Sequence, residues 1–390
     1  MNPPSEDNSP RKTLPKRDIW LLPLLSVLTL VSLLLLCEAT ASHYFVSHEV
    51  DNCQYDDGTG GYRFRANCKG RVKTSEGPWV ETQYNECGYR TKESCKSRPK
   101  DTVRIAVIGS SVADGFLVDY DHTFAQRAVT ELRNRCKRPV ELQNLSRLQC
   151  SMVCMFRRTD EALALKPDVL IVAMTPYDIE VTTDDEVKDR HEQITVKTKS
   201  AETKQNHILI RRVNMMLKNS RTAVAAEHNM LQDPSTYLRL IMLYGDKADF
   251  LREPLSSAWE RRLQNADILL GEMAEKARAA NVPMVLIEMP DEPQTSTLFL
   301  KTPLPNVNAT LLNSRLHQIA TQHGIQYIDS LPAFRQSPGA NKLFYIVDGH
   351  LNGEGHAFVS RPLVDYLTSG PKPLITGCAT ASSHNHPEGL

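Results

Sequence analysis

Val103-Arg104-Ile105-Ala106-Val107-Ile108 is a short, mostly β-branched apolar run that breaks abruptly at Gly109-Ser110-Ser111. A run of this length, closed by glycine and hydroxyl residues, reads as a strand buried on both faces that turns straight into a helix. Four further stretches repeat the pattern, at 140–145, 168–174, 284–289 and 326–328. Helical periodicity fills 123–135, 257–280, 309–323 and 355–367, and Gly324 supplies a stop for the third of these. This alternation predicts a doubly wound, flavodoxin-like α/β fold, with a mostly parallel five-stranded sheet and helices on both faces.

Ligands of such sheets gather at the carboxyl ends of the strands, which puts Gly109-Ser110-Ser111 where chemistry is expected. A hydroxyl there sits beside backbone N–H groups able to hold an oxyanion. The plainer alternative is a turn whose serines only cap a helix. The far end of the chain favours the first reading. Asp348-Gly349-His350-Leu351-Asn352-Gly353-Glu354-Gly355-His356 follows an apolar run and precedes the last helix. An imidazole can take a serine proton and return it to a leaving group. A carboxylate two residues earlier can hold the other ring N–H and fix the tautomer. Asp-x-His also suits metal ligation, but no third ligand cluster accompanies it, so neither a metal nor a cofactor is expected.

Over residues 101–370 the chain resembles an SGNH (GDSL-type) hydrolase. Gly109-x-Ser111-x-x-x-Gly115 is similar to the opening G-D-S-x-x-x-G block, with Ser110 in place of the usual Asp. The segment 348–356 is similar to the closing D-x-H-x-N-x-x-G-H block. The resemblance implies Ser111 as nucleophile, His350 as base, Asp348 as its orienting acid and a structural His356. Asn85-Glu86-Cys87-Gly88-Tyr89-Arg90 resembles the N-x-x-G-[YF]-R element that precedes the first block in many envelope-associated members. Two blocks depart. Gln149 stands nearest the place of an oxyanion-hole glycine, and Tyr177-Asp178 replaces Asn-Asp, so Ser111, Gln149 and Tyr177 are the expected oxyanion donors. Loss of one such donor can cost about 10²–10³ in rate, which bears on efficiency more than on reaction class. The activity implied is that of an extracytoplasmic serine esterase acting on an acyl or acetyl ester. Two alternatives accompany it: an O-acyltransferase or deacetylase on an envelope polysaccharide, and a catalytically weakened SGNH domain used for binding.

The rest of the chain supplies context. Residues 1–18 are polar and read as a disordered cytoplasmic tail, while 19–37 are leucine-rich and almost uncharged. Nineteen residues at about 1.5 Å each nearly cover a hydrocarbon core of about 30 Å. Arg11, Lys12, Lys16 and Arg17 before the run and Glu38 after it put the amino terminus inside and the bulk of the protein outside. The length favours a transmembrane signal-anchor; Ala39-Thr40-Ala41 offers the alternative of cleavage near Ala41 and secretion. Residues 43–100 form a cysteine-rich segment whose four cysteines read as disulfides, in keeping with export. An insertion at 180–253 is charged and Thr-rich at first, then helical at 208–228 and 234–244, and reads either as a solvated excursion or as a lid. Trp259 with Arg261 and Arg262 reads as a packed ring beside a solvated basic face. Residues 371–390 read as a disordered tail in which Cys378 is free. With 46 Lys+Arg against 46 Asp+Glu the chain has no field for a polyanion, so no nucleic-acid partner is expected. The expected partners are a small-molecule or glycan acyl ester and, through the N-terminal helix, the membrane.

Overall fold

Five strands form one parallel sheet: β1 (Val103–Gly109), β2 (Val140–Asn144), β3 (Val169–Met174), β4 (Met284–Glu288) and β5 (Gln326–Asp329). Their order across the sheet is β2-β1-β3-β4-β5. The register sets Val107 beside both Asn144 and Ile171, and Ile171 beside Val285. The structure is a computed structural model and describes residues 16–46, 48–50, 53–58, 60–192, 220–243 and 248–379. The expectations for residues 1–15, for the start of the 208–228 helix and for the tail beyond Ala379 lie outside the described residues.

Every residue of β1 to β4 is buried, as a sheet covered on both faces requires. Alternate residues feed two cores. Ala106, Ile108, Leu170, Val172 and Leu286 face the helices Met152–Ala164, Ser257–Ala279 and Leu311–Gln322. Ile105, Val107, Ile171, Val285 and Ile287 face Phe124–Cys136 and Gly353–Ser369. One charged pair lies inside the strands: Arg104 and Glu141 are register partners joined by a salt bridge. Arg104 also donates to the carbonyls of Leu165 and Ser97, so the buried guanidinium is served on several sides.

Met152–Ala164 is a helix that the sequence pattern did not announce. Ser151 caps it by accepting from the Cys154 N–H, and a Cys150–Cys154 disulfide spans its first turn. Trp259 is fully buried with the Arg262 guanidinium over its ring, which matches the packed reading. The N-terminal helix runs Lys16–Tyr44, longer at both ends than the apolar stretch. Residues Trp20–Tyr44 contain an 18-residue window of mean hydropathy 2.5 and are long and apolar enough to cross a membrane. Their leucine and valine side chains stand bare, with Leu24 55% and Leu35 67% exposed, which in water would be a severe hydrophobic cost.

The cysteine-rich segment folds into short antiparallel strands, with Lys69–Lys73 paired to Val80–Gln83 and Gln54–Asp56 paired to Tyr62–Phe64. Cys53–Cys68 and Cys87–Cys95 staple it. The segment is locked to the sheet domain, because Arg63 and Tyr89 both bond Glu161 on the Met152–Ala164 helix.

Cys378 is not free. It is bonded to Cys136 at the end of the Phe124–Cys136 helix. The tail before it is ordered: Ile375 is buried, its N–H donates to the Leu367 carbonyl, and the Ala379 N–H donates to the Arg135 carbonyl. A run rich in Pro, Gly and Thr hid these anchors, which depend on contacts far along the chain. Closing a loop of this length, with a sequence separation of 242 between the cysteines, limits the unfolded chain by up to about 5 kcal/mol. Cys378→Ser should therefore lower the thermal midpoint measured by circular dichroism while leaving the sheet intact. An unchanged midpoint would show that the bond contributes nothing.

Candidate active site

The site is built on the end of β1. Gly109 has no room for a side chain: a Cβ there would stand 2.4 Å from the Ala113 Cβ and from the Ala173 carbonyl oxygen. Ser110 follows in extended conformation just before the one-turn helix Ser111–Asp114, with no side-chain capping bond, and the helix closes on Gly115 at φ +84°. Such a short helix pairs the Ser111 and Val112 carbonyls within its own turn and leaves the later ones open. Arg90 serves the last of them and two carbonyls just beyond the helix. Its guanidinium donates to the carbonyls of Asp114 (3.0 Å), Gly115 (2.6 Å) and Val118 (2.5 Å), and pairs with the Asp114 carboxylate at 3.2 Å. The Asn144 side-chain amide takes the Ala113 carbonyl at 3.0 Å.

Arg90 is itself placed by the Asn85–Arg90 element. The Asn85 Oδ1 accepts from the N–H groups of Cys87 (2.9 Å) and Tyr89 (3.0 Å), which makes a side-chain-closed turn. Gly88 lies at φ +74°, where a Cβ would fall 2.1 Å from the Phe64 carbonyl oxygen. The sequence marked this element by resemblance only; its use as a clasp on the Ser111 turn becomes visible in three dimensions.

The second half of the site comes from the turn between Phe344 and Leu351, which form an isolated antiparallel bridge. The Tyr345 N–H donates to the His350 carbonyl, Gly349 sits at φ +85°, and the Tyr345 hydroxyl reaches the Leu117 carbonyl at 3.1 Å. His350 Nε2 lies 2.8 Å from Ser111 Oγ, and its Nδ1 lies 2.5 Å from Asp348 Oδ1. Phe116 packs edge-on against the imidazole, with ring centroids 5.3 Å apart.

The other expected residues are less closely joined. Gln149 is exposed and holds a left-handed backbone, φ +56°, at the place where the resemblance calls for glycine. A non-glycine residue is strained there by roughly 1 kcal/mol or more. Tyr177 is 55% exposed in the short helix Pro176–Glu180 after β3, and burial of its ring, then Glu180 and Asp178, push its hydroxyl pKa up. Among the described residues, neither side chain hydrogen-bonds Ser111 or His350. Asp178 is fully buried, which pushes its carboxyl up to about 6 against hydrogen bonds from Ser110 and Thr175. Asn144 is buried, and its side chain acts as a backbone clamp rather than an exposed donor.

His356 lies beneath the site. Its Nδ1 accepts from the Phe124 N–H at 3.1 Å, satisfying one unpaired donor at the start of the Phe124–Cys136 helix. The two rings stack with centroids 6.0 Å apart.

No family model matches the chain, and no curated protein sequence matches it. Solved structures similar to it include TesA, 14% identical, covering 70% of this chain and 99% of that one with a TM-score of 0.38. A lipolytic protein of the G-D-S-L family from Veillonella parvula is 11% identical and covers 68% of this chain and 99% of that one, TM-score 0.38. A lipase/acylhydrolase from Enterococcus faecalis is 14% identical and covers 70% and 98%, TM-score 0.37.

The pH dependence of folding follows from His356. Burial, followed by the positive charges of Arg90, His350 and Arg127, drives its pKa down to about 3. A histidine that is neutral when folded contributes its full stability above the unfolded pKa of about 6.5, and loses it as pH falls towards 3. The slope is about 1.4 kcal/mol per pH unit. In His356→Gln, the urea unfolding free energy should fall less steeply between pH 6.5 and 4 than in the wild type. Parallel curves would rule out a neutral buried imidazole.

Proposed function

We propose that the chain is a serine esterase of the SGNH type, with Ser111 as nucleophile, His350 as general base and acid, and Asp348 as the group that orients the imidazole. The observation that carries this reading is the continuous Ser111–His350–Asp348 hydrogen-bonded line. In the first half-reaction the Ser111 Oγ–H bond breaks as its proton passes to His350 Nε2. The new Oγ–carbon bond forms on the ester carbonyl, whose π electrons move to oxygen. Collapse of that tetrahedral species expels the alcohol, which takes the proton back from Nε2. Water repeats the sequence on the acyl-serine and releases the acid.

The oxyanion is assigned to the backbone N–H groups of Ser111 and Gln149, with the Tyr177 hydroxyl as a longer-reaching third donor. The left-handed backbone of Gln149 supports its place in the hole, since that conformation turns a loop N–H out of the strand direction. The protein is assigned to the outside of a membrane crossed by its N-terminal helix. Four disulfides among the described residues support an oxidising compartment.

Ser111→Ala should abolish labelling by a serine-directed fluorophosphonate. His350→Ala should reduce turnover of a short-chain p-nitrophenyl ester by about 10²–10⁴. Labelling that persists in Ser111→Ala would sink the nucleophile assignment. Wild-type protein inert to both probes would favour the alternative of a binding module.

A further inference from the structure

Glu76 belongs to the cysteine-rich segment, yet its side chain is 3% exposed and is directed at two remote parts of the chain. One carboxylate oxygen, Oε2, accepts from the N–H groups of Val347 (2.7 Å) and Asp348 (3.1 Å). Both N–H groups belong to the turn that carries Asp348 and His350. The other oxygen, Oε1, lies 2.6 Å from Nδ1 of His228, on the insertion helix Arg221–Met230.

The proton on His228 can be placed. The Gln232 side-chain Nε2 donates to His228 Nε2 at 3.1 Å, and Gln232 Oε1 is held by the Asn341 amide at 3.0 Å, which fixes the orientation of Gln232. Nε2 is therefore an acceptor and the Nδ1–H points at Glu76. The insertion helix is fastened at its other end as well. Glu38, near the end of the N-terminal helix, accepts from the backbone N–H groups of Arg221 and Thr222 and from the Ser220 hydroxyl. Phe45 packs edge-on against the His228 ring at 5.5 Å.

We propose that Glu76 is a positioning residue for the Asp348–His350 turn, and that His228 makes the insertion helix the strap that holds Glu76 in place. The inference rests on the reading of Asp348 and His350 as the orienting acid and base. The turn is closed by the Tyr345 N–H to His350 carbonyl bond and the Phe344–Leu351 bridge, but the N–H groups of Val347 and Asp348 need an acceptor from outside it. Glu76 provides one by binding two consecutive N–H groups with a single oxygen. If the turn shifts, His350 Nε2 leaves Ser111 Oγ, and a displacement of about 1 Å can cost about 10² in rate.

The test uses full-length protein in detergent and a soluble p-nitrophenyl ester. Glu76→Ala is expected to lower kcat by about 10²-fold with KM within about twofold of wild type, because substrate contacts are untouched. Glu76→Gln keeps an acceptor oxygen for the two N–H groups and is expected to recover most of the lost kcat. His228→Ala leaves Glu76 present but unstrapped and is expected to lower kcat by about tenfold. Folded Glu76→Ala with wild-type kcat overturns the proposal, as does Glu76→Gln falling as far as Glu76→Ala. Should Glu76→Ala not fold, wild-type kcat in His228→Ala overturns the strap. Fluorophosphonate labelling of His350→Ala separates the two levels. Labelling as fast as wild type there defeats the base assignment itself, whereas lost labelling with unaffected Glu76 variants defeats only the positioning role.

Discussion

A side chain cannot exist at the end of the first strand, because the Ala173 carbonyl of the neighbouring strand and the Ala113 methyl already occupy its volume. That exclusion lets the one-turn helix Ser111–Asp114 sit directly on the sheet edge, with Ser111 at its first position. A larger residue would push the helix away and separate Ser111 from His350, which is 239 residues later in the chain. Parallel strands make the meeting possible. All five end on the same edge, so a serine after the first and a histidine beyond the last share one surface. The rest of the site consists of groups that hold this contact at its observed distance.

Those groups are mostly buried charges and amides. Arg90 is 1% exposed and would be costly in the interior unless its donors were satisfied. Three carbonyls and the Asp114 carboxylate engage Nη1 and Nη2, leaving Nε without a partner, and they belong to the stretch just after Ser111. The energetic requirement of the arginine and the geometric requirement of the turn are met by the same bonds. A comparable economy holds at Asn144, which ends the second strand, accepts from the Ser146 N–H and donates to the Ala113 carbonyl. The cysteine-rich segment therefore belongs to the architecture of the site, since it contributes both Arg90 and Glu76.

Legibility in the sequence followed the range of the interactions. The five strands were readable because burial on both faces leaves an unbroken apolar run, and the compact local patterns around Ser111 and around Asp348 and His350 marked two segments that the fold brings together. The helix Met152–Ala164 escaped notice because Arg158 and Thr159, polar in the sequence, are buried in the structure. Its apolar period was present at Met152, Met155, Phe156 and Ala162, and Ser151 gave a capping signal. Arg158 faces Glu161 and the Tyr89 ring, partners the periodicity does not reveal. Glu76 and His228 carried no local signal at all, because each acquires meaning only from a contact more than one hundred residues away. Cys378 was misjudged for the same reason.

The Cys136–Cys378 bond turns most of the sheet domain into a covalent ring. β2 to β5, the insertion and the Asp348–His350 turn lie inside that ring, while β1 and the Ser111 turn lie outside it. A single peptide-bond cut anywhere between the two cysteines opens the ring but cannot release a fragment. The nicked molecule keeps its mass until the disulfide is reduced, so proteolytic damage within the insertion is silent on a non-reducing gel. The site is thus divided between a linear arm that carries the serine and a closed loop that carries the histidine.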